Sequence, residues 1–325
     1  MPEEVFKNIF KIPVPLPGNP LKVLNSYLIR GEERDLLIDT GFNMPECREA
    51  LERGLDELKA KRGSLDIYLT HLHSDHSGLS PEIVGGKGRI YLSRTDYRYL
   101  ESFLGRSSFK ERNERFLKEG YPEDVLLRSD RQNPAYRLAV SRLGEPFVPV
   151  PDDFRIRAGG YDWQMILCPG HTPGSAMLWN EAHGIMFTGD HVLFDITPNI
   201  TAWQGAADSL GDYLDSLRKA LDYDVRLALP GHRGSGDYHG RIRALLLHHR
   251  RRLEETASII SSCPGLNAYE IAARMRWKIR ASGWEDFPPA QKWFAVGECL
   301  AHLDYLRLRG VISAEERDGI RVYYW

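Results

Sequence analysis

Short apolar runs that end in polar turns recur along the first part of the chain and predict β-strands. The runs at 24–29, 36–41 and 66–70 have the length and composition of buried strands. Between the last two, apolar residues recur at helical spacing over 45–61, which predicts an amphipathic helix. This alternation of strands and helices predicts a mixed α/β fold, in which both kinds of element pack in layers.

The pattern changes near residue 236, where predicted helices replace the strands. The expected elements are three helices and a β-hairpin, at 241–262, 267–275, 288–309 and 310–325. Three helices followed by a terminal hairpin resemble a winged-helix domain. We therefore expect two domains, an α/β domain over 1–235 and a winged-helix-like domain over 236–325.

The composition is that of a globular protein in water. Of the 325 residues, 42% are hydrophobic and 27% are charged, and no apolar run approaches the ~18 residues that a bilayer requires. The formal net charge of −2 gives no general attraction to nucleic acid or to an anionic membrane. These features predict no membrane association.

The cysteines and the N-terminal segment predict a cytoplasmic location. The four cysteines are far apart in the sequence and form no CxxC pair, which suits reduced thiols rather than a disulfide framework. The first residues are acidic and lack the basic and then apolar order of a signal peptide.

The densest chemical signal is the stretch 70–78, which directly follows a predicted strand. It places His71, His73, Asp75 and His76 within six positions. So many imidazoles beside a carboxylate require positive charge between them, and zinc, iron and manganese accept these ligand types. The stretch therefore predicts a metal site at the open end of a strand.

Three further turns carry single candidate ligands, each at the end of a predicted strand. Proline and glycine fix the turns that present His171 and His232, and Asp190 follows a strand that ends in glycine. One such turn is weak evidence, but several in one chain can converge on one edge of a layered fold. We expect Cys168 to lie in the core and His191 to flank the site.

Asp39 closes the run at 36–41 and has two interpretations. It could be a turn residue that binds nearby amides. Alternatively, it could be a carboxylate behind the metal ligands that steadies their loop. The sequence does not choose between them.

Taken together, these motifs resemble the metallo-β-lactamase superfamily. The matching segments, in the family's order, lie at 36–41, 71–76, 169–175, 188–190 and 230–232. The resemblance covers roughly residues 5–235 and implies an αββα sandwich with a two-metal site at one edge. Some hydrolases of this family carry a winged-helix tail, so the whole chain is similar to that subgroup. Within the family the chain is more similar to glyoxalase II than to true β-lactamases.

The resemblance also implies a ligand set for two divalent metal ions. His71, His73 and His171 would hold the first ion, and Asp75, His76 and His232 would hold the second. Asp190 would bridge the two. Zinc is the first expectation, with iron and manganese as alternatives, because imidazole and carboxylate suit all three.

The implied chemistry is hydrolysis. Two metal ions ~3.5–4 Å apart lower the pKa of a bridging water, and the resulting hydroxide attacks an electrophilic carbon or phosphorus. Asp75 would orient this water or accept its proton. We expect a small thioester, ester or lactone as the substrate. The alternatives are a phosphodiesterase or RNA endonuclease with the same site, and a mononuclear-iron persulfide dioxygenase.

The sequence does not decide the roles of two segments. The charged stretch at about 95–142 is a predicted insertion of two or three helices. It is either a solvated flap or a lid whose basic residues, Arg106 among them, favour an anionic substrate. The 236–325 segment holds 14 Lys and Arg against 11 Asp and Glu, a mild basic bias that is well short of a nucleic-acid footprint. We therefore expect it to pack against the catalytic domain or to form a homodimer contact.

Overall fold

The polypeptide forms two large β-sheets, a two-stranded hairpin and a set of helices in the part that the structure describes. The computed structural model describes residues 1–105 and 107–325. Arg106, one of the basic residues named for the insertion, lies outside the described residues. The mixed α/β prediction is confirmed.

The strands are β1 (Glu3–Phe6), β2 (Ile9–Pro15), β3 (Val23–Ile29), β4 (Asp35–Ile38), β5 (Leu65–Tyr68), β6 (Ile90–Ser93), β7 (Phe147–Val150), β8 (Arg155–Ala158), β9 (Tyr161–Leu167), β10 (Ala176–Asn180), β11 (Ile185–Gly189), β12 (Leu227–Pro230), β13 (Ser313–Arg317) and β14 (Ile320–Tyr324). The helices are α1 (Pro45–Glu57), α2 (Ser74–Ser77), α3 (Ser80–Ile83), α4 (Arg94–Leu104), α5 (Ser107–Lys118), α6 (Glu123–Gln132), α7 (Pro134–Arg137), α8 (Ser209–Ala220), α9 (Tyr238–Ser262), α10 (Ala268–Arg274) and α11 (Pro289–Leu308).

The chain divides into two compact units, each built from three segments. Unit 1 comprises Met1–Leu104, Pro134–Pro198 and Ser216–Ile242. Unit 2 comprises Gly105–Asn133, Asn199–Asp215 and Arg243–Trp325.

The topology of unit 1 brings several strand ends to one edge. The first sheet has the order β1 to β7, and its strands β4, β5, β6 and β7 are parallel neighbours. In the second sheet, ordered β12-β11-β10-β9-β8, strands β11 and β12 are parallel. Because parallel strands end at the same edge, the loops that follow β4 and β5, and those that follow β11 and β12, are held close together.

The two sheets share one apolar core. Ile9, Tyr27 and Ile38 of the first sheet belong to the same buried cluster as Trp163 and Phe187 of the second. The rings of Tyr27 and Phe187 meet edge to face, with centroids 5.2 Å apart. Full burial of one such side chain contributes about 1.5–3 kcal/mol, so this interface fixes the two sheets against each other.

Helices cover the outer faces of this pair of sheets. On α1, Cys47, Leu51 and Leu55 recur at a spacing of four and are buried. Gly54 allows α1 to approach β2, because a Cβ there would lie 2.5 Å from the Cγ2 atom of Ile12. On the second sheet, the Tyr238 hydroxyl at the start of α9 contacts the sulfur of Met177 at 3.9 Å.

The segment predicted as an insertion differs from the expectation in detail. Its described part holds four helices, α4 to α7, rather than two or three. Proline explains the additional break, since Pro134 begins α7 and the residue before a proline disfavours helical backbone angles. Asn133 accordingly adopts an extended conformation, with φ −73° and ψ 119°, and ends α6.

The elements predicted for the C-terminal segment are present, with small shifts in their bounds. A capping box begins α10, in which Asn267 and Glu270 satisfy each other's backbone N–H groups. A face of α11 that includes Val296, Leu300 and Leu303 is buried. The winged-helix assignment and the domain boundary at 235/236 stay predictions.

No helix among the described residues is both long enough and apolar enough to cross a membrane.

Two buried histidines lie beside each other in unit 2. The Nδ1 atom of His249 is 3.5 Å from the Nε2 atom of His302, and His302 Nδ1 donates to the carbonyl oxygen of Glu298 at 2.7 Å. Burial lowers the pKa of His302 to about 3 and places the pKa of His249 well below its usual value. The guanidinium of Arg252 adds to both shifts, so both imidazoles are neutral at neutral pH.

We expect the metal-free protein to lose stability in unit 2 as the pH falls below about 6.5, the pKa of an unfolded histidine. Both folded-state pKa values are lowered, so the unfolded chain takes up protons first. The stabilisation is full above pH 6.5 and is lost towards the folded pKa, at about 1.4 kcal/mol per pH unit for each histidine. Urea unfolding at pH 7.5 and 5.5 measures the slope. The variant His249→Leu should reduce it, and an unchanged slope would contradict this assignment.

Candidate metal centre

The predicted ligands lie in loops that leave one edge of the two sheets. His71 and His73 follow β5 in a loop, and Asp75 and His76 lie on the single turn of α2. His171 lies in the loop between β9 and β10, Asp190 directly follows β11, and His232 follows β12. All are buried except His73, which is partly exposed.

The structure brings all seven side chains into three overlapping groups whose ligand atoms lie within 4.8 Å of one another. The groups are His71, His73 and His171; His71, His76 and Asp190; and Asp75, His76 and His232. We call the first the triple-histidine group and the last the aspartate group. Their role as metal ligands remains a prediction.

Hydrogen bonds behind the triple-histidine group orient one of its rings. The hydroxyl of Thr70 donates to Asp39 Oδ2 at 2.8 Å, so it accepts from His71 Nδ1 at 3.0 Å. The unprotonated Nε2 atom of His71 then points at His73 Nδ1, 3.0 Å away. The ring of His171 lies 4.6 Å from that of His73 and 4.9 Å from that of His71.

The aspartate group provides a direct test of whether these residues fit a metal ion. His76 Nδ1 donates to Asp39 Oδ2 at 2.7 Å, and His232 Nδ1 donates to the carbonyl oxygen of Val23 at 2.8 Å. In the neutral rings both Nε2 atoms therefore carry lone pairs, and they face each other at 3.2 Å. Two lone pairs at this distance repel unless a cation, either a proton or a metal ion, lies between them. A divalent metal ion fits this donor set.

Asp190 lies between the two groups. Its Oδ1 atom is 3.5 Å from His76 Nε2, and its Oδ2 atom is 3.5 Å from His232 Nε2 and 3.7 Å from His171 Nε2. The Oδ1 atom is buried and makes no hydrogen bond to a described residue. Gly231 makes room for it, since a Cβ there would lie 2.7 Å from both Asp190 Oδ1 and His76 Cε1.

The charges favour the ligating forms of His71, His73 and Asp75. Burial lowers the pKa of His73 to about 3 and that of His71 well below its usual value, and neighbouring imidazoles contribute to both shifts. Burial alone would raise the pKa of Asp75, but His76 and His232 outweigh it and bring that pKa to about 2. Neutral imidazoles and ionised carboxylates are the forms that bind metal ions. Burial alone would lower the pKa of His76 and of His232, but Asp190 and the other carboxylates nearby outweigh it and raise both, so a proton takes the place of a metal ion when none is bound.

Supporting residues that the sequence did not single out hold the His232 turn. The side-chain amide of Asn25 donates to the carbonyl oxygens of Pro230 and Arg233 at 3.1 and 2.9 Å. The hydroxyl of Tyr27 donates to the same Pro230 carbonyl at 2.8 Å. Both residues belong to β3, where they look like ordinary strand positions, so no local signal identifies them.

Asp39 makes the contacts expected for a carboxylate behind the ligands. It accepts from the backbone N–H and hydroxyl of Thr70, both at 2.8 Å, as well as from His76. Cys168 is buried, as predicted, and burial raises the pKa of its thiol. His191 is also buried, and burial lowers its pKa to about 3.

The chain is similar to several known proteins. The "Probable metallo-hydrolase YqjP" of Bacillus subtilis (strain 168) is 25% identical, with 98% of each chain covered. The human "Acyl-coenzyme A thioesterase MBLAC2" is 28% identical and covers 64% of this chain and 72% of its own. The solved structure of the metallo-beta-lactamase family protein TTHA1429 from Thermus thermophilus is 28% identical, with a TM-score of 0.82. It covers 98% of this chain and 99% of its own.

A family model described as the metallo-beta-lactamase superfamily matches residues 21–232, which include every predicted ligand. The match spans more than half of the chain. This chain belongs to the metallo-beta-lactamase superfamily.

Proposed function

We propose that this protein is a metal-dependent hydrolase that cleaves a small thioester, with esters and lactones as related substrates. The observation that carries the proposal is the pair of ligand groups joined by Asp190 at one sheet edge. The similarity to an acyl-coenzyme A thioesterase, at 28% identity, supports the choice of thioesters. Because the three groups overlap, we propose that they hold two divalent ions, of which zinc is the first expectation.

We propose the following division of labour among the residues. Metal ions held here would supply Lewis-acid chemistry that polarises a carbonyl and lowers the pKa of water. His71, His73 and His171 bind through neutral imidazoles, and Asp190 spans both groups. Asp75 is ionised at neutral pH, since its pKa is about 2. It can therefore accept a hydrogen bond from the attacking water and orient it.

The proposal extends to the subtype, the cellular location and the domains of the chain. We propose a glyoxalase II-like subtype in a cytoplasmic protein, with a catalytic domain over 1–235 and a winged-helix-like domain over 236–325. The hairpin of β13 and β14 after three helices supports the winged-helix assignment. For this second domain we propose a packing role or a homodimer contact rather than binding to nucleic acid.

Removal of metal provides the first test. We expect a chelator to abolish thioester hydrolysis and to lower the melting temperature, because an ion at a thousand times its Kd adds about 4 kcal/mol to the free energy of unfolding. Release of the thiol from acyl-coenzyme A measures the hydrolysis, and elemental analysis should find about two metal ions per chain. Added zinc should restore both properties, and magnesium serves as the control.

Three other results would count against the proposed thioester hydrolysis. One iron per chain with thiol-dependent oxygen uptake would replace it with persulfide dioxygenation. Cleavage of bis(p-nitrophenyl) phosphate or single-stranded RNA, without thioester cleavage, would replace it with phosphodiester hydrolysis. Full thioester hydrolysis after complete metal removal would refute it.

A further inference from the structure

A buried carboxylate outside the predicted ligand set lies behind the triple-histidine group. Asp96 is in the first turn of α4, and none of its surface is exposed. Among the described residues, three groups donate hydrogen bonds to it. The donors are the backbone N–H of Leu72 at 2.8 Å, the Thr172 hydroxyl at 2.7 Å and the backbone N–H of Gly174 at 2.7 Å.

These three donors belong to the two loops that carry the triple-histidine group. Leu72 lies between His71 and His73, and Thr172 directly follows His171. Asp96 therefore ties the loop after β5 to the loop between β9 and β10 through a single side chain. Asp39 contacts Thr70 and His76 instead, so the two carboxylates support the ligand loops from different elements.

The loop between β9 and β10 passes close to Asp96 at Gly174. A Cβ at Gly174 would lie 2.5 Å from the Asp96 nitrogen and 2.7 Å from Asp96 Oδ1. The hydroxyl of Ser93 donates to the Gly174 carbonyl at 2.6 Å and adds a second attachment. Such short contacts on both sides leave this loop little freedom to shift relative to α4.

The partners of Asp96 suit an ionised carboxylate. Two are N–H groups that can only donate, and the Thr172 hydroxyl is placed to donate as well. Burial raises the pKa of Asp96 to about 7, while the three hydrogen bonds favour the charged form and limit that rise. A side chain with a donor in place of one oxygen could not satisfy all three partners.

We propose that Asp96 is a positioning residue that sets the spacing between His71, His73 and His171 and thereby the metal affinity of the triple-histidine group. This inference rests on the metal-binding role given above under the proposed function. Groups behind metal ligands typically contribute 10–100-fold to metal affinity. We expect an effect of this size because Asp96 accepts hydrogen bonds from both loops at once.

The test compares Asp96→Asn with the matched variant Asp35→Asn. Asp35 is also buried and accepts backbone N–H bonds, from Gly31 at 3.0 Å and Lys61 at 2.7 Å. It begins β4, at the opposite end of that strand from Asp39 and the ligand loops. Zinc affinity is measured by competition with a chromophoric chelator, and the melting temperature of the metal-free protein is measured in parallel.

We expect Asp96→Asn to weaken zinc binding by about 10–100-fold. Asp35→Asn should lower the melting temperature without changing zinc affinity more than twofold. Thr172→Val, which removes one donor and keeps the side-chain shape, should weaken zinc binding in the same direction by a smaller factor. It keeps the test decisive if Asp96→Asn does not fold.

Zinc affinity of Asp96→Asn within twofold of the original protein, or a loss no larger than that of Asp35→Asn, would overturn the inference. If Asp96→Asn does not fold, unchanged zinc affinity in Thr172→Val would overturn it. Failure of the unaltered protein to bind zinc, iron or manganese would instead refute the proposed function, so the two failures are distinguishable.

Discussion

Substitution of His73 by alanine is expected to lower thioester hydrolysis by at least about a hundredfold and to reduce the bound metal. Loss of a group behind a metal ligand already costs 10–100-fold, and loss of a ligand costs more. His73 Nδ1 lies 3.0 Å from His71 Nε2, and the His73 ring lies 4.6 Å from that of His171. Alanine would leave the triple-histidine group with two nitrogens. Thiol release from acyl-coenzyme A and elemental analysis measure the two effects.

His183→Ala is the matched control for this variant. His183 is an exposed histidine in the turn between β10 and β11, where its Nδ1 atom contacts the side-chain oxygen of Asn180 at 2.9 Å. Its removal should leave metal content and hydrolysis unchanged. Activity of His73→Ala comparable to that of the control would show that His73 does not serve the reaction.

The loops that carry the predicted ligands could be located from the sequence because their signals are local. An apolar strand that ends in proline, glycine and histidine shows both a strand end and a side chain presented at it, as at His171 and His232. Parallel pairing of β11 with β12 and of β4 with β5 then brings their ends to one edge. Strand β9 is antiparallel to β10, as β11 is, so β9 runs in the same direction as β11 and ends at the same edge.

The supporting residues could not be predicted in this way because their roles depend on non-local contacts. Asp96 looks like an ordinary acidic residue near a helix start, and its partners Leu72 and Gly174 are 24 and 78 positions away. Asn25 and Tyr27 likewise look like strand residues until the His232 turn packs beside them. Their functions arise only from tertiary structure, which a single sequence does not display.

Asp39 allows the sharpest test of how a carboxylate behind the predicted metal ligands acts, because one of its oxygens accepts hydrogen bonds from two partners. Oδ2 accepts from His76 Nδ1 at 2.7 Å and from the Thr70 hydroxyl at 2.8 Å, while Oδ1 accepts from the Thr70 N–H. In Asp39→Asn one of these oxygens becomes an NH2 group, which faces a donor in either orientation.

If the NH2 group faces His76, the imidazole must move its proton to Nε2, the atom that faces His232. If it faces the Thr70 N–H, two donors oppose each other behind the His71 loop. Either outcome disturbs a ligand, so we expect Asp39→Asn to lower zinc affinity and hydrolysis by about 10–100-fold. Chelator competition measures the affinity.

Asp66→Asn is the matched control for Asp39→Asn. Asp66 is also buried, and it lies in β5, where it accepts from the backbone N–H of Arg89 at 2.8 Å rather than from a ligand loop. Its variant should lose stability but retain zinc affinity. The specific expectation for Asp39→Asn is that zinc affinity falls further than the melting temperature of the metal-free protein would explain. Zinc affinity within twofold of the original protein would show that Asp39 does not set the protonation of His76 or the position of His71.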